Sequence, residues 1–171
     1  MPMTDDTKAW VFATLMPGAC GLVSMAAIHF DDSDTFGWFK SLKRPSWAIP
    51  GSCAVAAHSL LDVATLSPLA CATALVWKHG GGCKHGDTKL ALISYTSLFG
   101  LGLLSIPAWK SRCLESCTAL TGAMSINAFL TAHLYHKIYE KAGYLALPFC
   151  IYSAYCTLMM WSMCGLNARK K

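Results

Sequence analysis

The residues in this chain best suited to chemistry are an imidazole and a carboxylic acid four positions apart, His58 and Asp62, inside a long apolar run. On a helix that spacing places both side chains on one face. An acid within an apolar run is costly in hydrocarbon, so Asp62 is expected to face a bundle interior or a polar cavity, with His58 as its hydrogen-bond partner. Such a pair could hold a ligand hydroxyl, a ligand acid or a proton, or could be a satisfied structural pair near an interface. Other candidates read more plainly. His79, Cys83 and His85 flank Gly80, Gly81 and Gly82. These ligand types could hold zinc or haem iron, but the spacing fits no standard zinc module and a solvated linker is expected. His133 and His136 beside Lys137 read as interfacial anchors, and Cys113 and Cys117 as packing residues on one helix face. There is no glycine-rich phosphate loop, no HExxH and no nucleophile-elbow context. No catalytic residue, metal or cofactor is expected.

The elements that must position these groups follow from composition. Hydrophobic residues make up 54% of the 171 and charged residues only 13%, against a usual charged share of about 25%. That deficit fits a molecule whose outside is covered by lipid. The net charge of +5 suits anionic headgroups at loop level, and no basic stripe with interleaved aromatics points to nucleic acid. The nine cysteines are odd in number and lie mostly in apolar runs, so they read as reduced, buried thiols of a cytosol-facing or organellar membrane rather than a disulfide framework. The first residues contain Asp5 and Asp6 and lack the basic region and cleavage site of a signal peptide. Arginine is too scarce there for a matrix transit peptide.

Five apolar stretches, 10–30, 52–77, 90–109, 113–135 and 145–165, each approach the roughly 20 residues that span about 30 Å of hydrocarbon as a helix. Unpaired backbone groups cannot persist in lipid, so these stretches must be helical. The fold class expected is an all-α integral membrane protein, a five-helix transmembrane bundle in one domain over 1–171, with a lid loop at 31–51. Pro17, Pro68, Pro107 and Pro148 lie in or beside the spans, and Trp10, Trp77, Trp109, Tyr135 and Tyr144 lie at span ends as an aromatic belt. On one side the connections carry Lys8, Lys78, Lys84, Lys89, Lys137 and Lys141. The other side carries Lys40, Lys43, Arg44, Lys110, Arg112, Arg169, Lys170 and Lys171. The excess places the first loop and the C-terminus in the cytoplasm.

The first connection is not generic. It reads Trp38-Phe39-Lys40-Ser41-Leu42-Lys43-Arg44-Pro45-Ser46-Trp47-Ala48-Ile49-Pro50. Two tryptophans are too apolar to hang in water and should fold back over the helices. Pro45 and Pro50 stiffen the segment. In order and spacing it resembles the W-[YF]-x-x-L-x-[KR]-P-S-W-x-x-P segment of the translocator protein family, the peripheral benzodiazepine receptor and its bacterial tryptophan-rich sensory relatives. Met16-Pro17-Gly18-Ala19 in the first span, Val76-Trp77-Lys78 ending the second, and Leu145-Ala146-Leu147-Pro148-Phe149 opening the fifth agree. The resemblance implies a five-helix bundle, often a homodimer, in the outer mitochondrial membrane of animal cells. It implies a pocket under the first loop for cholesterol-like lipids, porphyrins and synthetic aromatic ligands. The ligand-binding residues it suggests, joined to the polar pair, are Trp38, Pro45, Trp47, His58, Asp62 and Tyr152. The partners implied are a sterol or tetrapyrrole and the bilayer.

The chain also departs from that pattern. His58 stands where the family carries a second-span tryptophan, Tyr152 where it carries a pocket tryptophan, and Met160 where it carries an asparagine. Gly102 to Pro107 replaces an Asn-Trp-x-x-Pro-type segment. The fifth-span sterol pattern lacks its tyrosine in 161–171, although Leu130, Tyr135 and Lys137 match that pattern elsewhere. The first reading is therefore a ligand-binding translocator-type protein. A porphyrin-degrading enzyme, made doubtful by the missing second-span tryptophan, and a scaffold with a degenerate pocket are the alternatives.

Overall fold

The computed structural model describes residues 4–29 and 34–168. Five long helices occupy the five apolar stretches: α1 (Asp5–His29), α3 (Ala54–His79), α4 (Gly86–Lys110), α5 (Leu114–Ile138) and α6 (Glu140–Ala168). The first connection is partly helical, holding the seven-residue α2 (Thr35–Ser41), while residues 31–33 lie outside the described ones. A short 3₁₀ turn, Gly82–Lys84, precedes α4. Among the described residues no strand occurs. The helices overrun the apolar stretches. α6 begins at Glu140 rather than 145, and the connection before it shrinks to Tyr139, whose extended backbone (φ −152°, ψ 109°) turns the chain. Interfacial residues such as His136 and Lys137 keep bonding along the helix because water at the headgroups does not force it to end.

Among the described residues three helices are long and apolar enough to cross a membrane, over Ala56–His79, Gly86–Lys110 and Glu140–Ala168. α5 matches α4 in length at 25 residues but carries more polar side chains, of which Ser125, Asn127 and Thr131 turn inward. Asn127 donates from Nδ2 to Ser97 Oγ (2.7 Å) and to the Ser94 carbonyl (3.1 Å). Ser94 Oγ in turn donates to Asn127 Oδ1 at 2.9 Å, with Thr131 Oγ1 at 2.8 Å. Interhelical bonds of this kind hold helices together where lipid supplies no hydrophobic drive. The outward faces are the apolar ones: Ile126 is 75% and Trp161 73% exposed.

The long helices close into a ring in the order α1, α3, α6, α5, α4, back to α1, with α5 against α6 the most extensive pairing. Small residues set the α1–α3 seam, where Ala9 and Ala13 meet Ala70 and Ala74 and let the backbones approach. The interior is filled by Leu69, Val76, Tyr95, Leu98, Tyr135 and Phe149, and Thr73 Oγ1 meets the Tyr135 hydroxyl at 2.6 Å. The α1–α4 contact rests on a proline. Pro17 has no N–H to give the carbonyl four residues back. That carbonyl, Ala13 O, instead accepts from the Tyr95 hydroxyl of α4 at 2.7 Å. Tyr95→Phe strands a buried carbonyl and is expected to cost about 1–3 kcal/mol. The check is a lowered unfolding midpoint in detergent, with Tyr144→Phe, on an exposed tyrosine, as the near-neutral control.

Candidate ligand pocket

The first connection docks across one end of the ring. Asp34 starts α2 in a left-handed conformation (φ 44°, ψ 50°) and accepts from Gly37 N with Oδ1 at 3.0 Å. A side chain at 37 would collide with that carboxylate, so the turn requires glycine. Phe39 and Trp38 both meet Trp109 of α4 edge-on, with ring centroids 5.2 and 6.1 Å apart. Arg44 lies over the Phe39 ring at 4.3 Å and donates from Nη2 to the Phe39 carbonyl at 3.0 Å. Burial lowers the Arg44 pKa from its ordinary value, opposed by nearby Tyr155. Two clips tie the strap to α6. Asn167 accepts from Lys43 N (3.1 Å) and donates to Lys43 O (3.0 Å), and Ile49 N donates to the Tyr155 hydroxyl (3.2 Å).

Beneath this strap a cavity of about 360 Å³ opens among α2, α3, α4, α5 and α6. Its wall is mainly apolar: Phe39, Trp109, Met124, Phe149, Met159 and Met160. His58 and Asp62 of α3 and Tyr152 of α6 make its polar side. The shared face of His58 and Asp62 is as expected from their spacing, but their partner is Tyr152. His58 Nδ1 lies 2.9 Å from the Tyr152 hydroxyl, and Asp62 shares a hydrogen bond with the same hydroxyl. A phenol has one proton and accepting lone pairs. The His58 carbonyl, 3.4 Å from the Tyr152 hydroxyl, is a second acceptor for that proton. When the proton goes to the Asp62 carboxylate, His58 donates from Nδ1 and its Nε2, buried without a partner, is left as an acceptor.

The other candidates fall elsewhere. Trp38 braces Trp109 at the rim. Pro45 and Trp47 lie outside the cavity, in a separate groove with Lys43, Ser46, Ser162, Gly165 and Leu166. Trp47 touches Tyr155 edge-on at 5.8 Å yet stays 52% exposed. Met160, at one of the departed positions, is buried and lines the cavity. Sequence reasoning missed Phe39, Trp109 and most of the α6 wall. The place of Trp109 at a span end points to the aromatic belt, whereas its ring turns inward two residues after Pro107. The α6 wall had a legible signal, since Phe149, Tyr152, Cys156, Met159 and Met160 recur at helical spacing. His79 stacks on Tyr139 at 4.1 Å rather than joining Cys83 and His85. Among the described residues no three His, Cys, Asp or Glu side chains are placed to hold a metal.

A ring of long helices, apolar outside and hollow beneath a helical strap, defines a multi-helix membrane protein. A sequence model of the TspO/MBR family matches residues 13–166. The chain belongs to the TspO/MBR family, a family of membrane translocator-type proteins. A search of curated protein sequences finds no significant match.

The strap's anchor is testable. Arg44→Lys keeps the charge but loses the planar group over Phe39 and its bond to the Phe39 carbonyl. Amide hydrogen exchange over 37–50 should speed up several-fold, in line with the roughly 0.5–2 kcal/mol of a desolvated cation–π contact. Exchange in the α5–α6 core should be unchanged.

Proposed function

We propose that this protein holds a flat hydrophobic ligand, a sterol-like lipid or a porphyrin, in the cavity beneath the α2 strap. The observation that carries the reading is the cavity itself, about 360 Å³ and walled mainly by apolar side chains. Ligand sites run from roughly 300 to 1,000 Å³ and pair such walls with a few convergent polar groups. His58, Tyr152 and Asp62 are that polar group, and Trp109 is a flat face for a ring system to lie against. In this reading α1 and α5 also cross the bilayer, giving five crossings. The outer mitochondrial membrane is the proposed location, on the strength of the loop resemblance. The C-terminus faces the cytosol, on the strength of the lysine and arginine distribution. In this reading the protein binds or moves its ligand.

Purified protein in lipid nanodiscs should show a saturable change in tryptophan fluorescence with cholesterol or protoporphyrin, at micromolar or lower concentration. Trp109→Phe should remove most of that change, and Tyr152→Phe, which takes away the shared hydroxyl, should weaken binding by about five- to tenfold. If neither ligand alters the wild-type signal, the cavity is not this ligand site.

A further inference from the structure

The polar groups of the cavity are unbalanced in a way that bears on ligand chemistry. Among the described residues lining it there is one carboxylic acid, Asp62, and no lysine or arginine. The groups around Asp62 are Tyr152 and Cys156 from α6 and His58 from its own helix. The nearby cation, Arg44, acts electrostatically on His58 but lies outside the lining, stacked on Phe39 and bonded through Nη2 to the Phe39 carbonyl, with Nε and Nη1 buried without a partner. Several lining hydroxyls have already spent their single proton on a helix carbonyl. Ser105 Oγ donates to Gly102 O at 2.6 Å, Thr121 Oγ1 to Cys117 O at 2.7 Å and Ser153 Oγ to Cys150 O at 2.9 Å. What they offer a ligand is lone pairs. His58 Nε2 is buried without a partner, and it is an acceptor in the tautomer whose Nδ1 donates to Tyr152. An incoming carboxylate meets a carboxylate and a set of acceptors, with no cation on the wall to neutralise it, and burying it there is costly. An incoming donor meets partners, and a protonated amine meets an opposite charge in a poorly solvated space, where such pairs are strongest.

We infer that the cavity selects by charge: a hydrophobic skeleton carrying a basic amine binds ahead of the same skeleton carrying a hydroxyl, and both bind ahead of one carrying a carboxylic acid. Cationic or hydroxylated lipids of flat shape are its ligand class, and tetrapyrroles with free acid groups rank below them. The inference rests on the cavity being the ligand site.

The test uses three ligands on one ring system, 3-aminocholestane, cholestan-3-ol and cholestane-3-carboxylic acid. They are titrated by tryptophan fluorescence into full-length protein in nanodiscs of neutral lipid, with empty nanodiscs correcting for partition. The amine should bind at least about tenfold tighter than the acid, with the alcohol between them. Asp62→Asn, which keeps the shape and can still bond Tyr152, should remove the preference, so that amine and alcohol bind equally well within that variant. Equal binding of all three, or an amine preference that survives Asp62→Asn, overturns the inference while leaving the cavity as the ligand site. So does tightest binding by the acid, most directly if Arg44→Met abolishes it. If none of the three binds, the cavity reading fails and this inference fails with it.

Discussion

Hydrocarbon offers no hydrogen bonds, and that constraint shapes this molecule at every scale. Each long helix satisfies its own backbone, and polar side chains that cannot be satisfied locally turn inward and find partners on a neighbouring helix. Ser94, Ser97, Asn127 and Thr131 zip α4 to α5, and Thr73 joins α3 to Tyr135 of α5. The break that Pro17 makes in α1 is repaired from α4 by Tyr95. These bonds fix how the rods face one another, while the apolar surface around them is interchangeable with lipid. A ring closed in this way has an inside, and where side chains do not fill it a cavity remains.

The cavity has its own version of the same demand. Asp62 and His58 stand on α3 beside that hollow, and neither completes its bonding on its own helix. The Tyr152 hydroxyl of α6 lies between them and serves both. Ser105, Thr121 and Ser153 on the wall donate to the backbone of their own helices, and the cluster around Asp62 carries the acid among the described lining residues. The strap above it is held by dispersed contacts of a different kind: aromatic edges on Trp109, a guanidinium over Phe39, and backbone clips to Asn167 and Tyr155. Those contacts lie at one end of the helix ring, where the planar face of an arginine covers an aromatic ring.

The sequence by itself determined what depends on neighbours along the chain. The apolar runs imposed helices because nothing else satisfies a backbone in lipid. The four-residue spacing of His58 and Asp62 imposed a shared face, and two tryptophans among prolines imposed a strap that packs rather than dangles. The match over residues 13–166 adds that these local signals belong together. Only the tertiary structure decided how the helices order into a ring, and with it which side chains share a space. Tyr152 reaches His58 across 94 positions of chain, a distance no periodicity encodes. The same arrangement turned Trp109 from the belt into the cavity wall and left Pro45 and Trp47 on the outer face of their own strap. A helix rotation of one residue shifts a side chain by about 100°, so inward and outward are set by packing against partners, and those partners are remote in sequence.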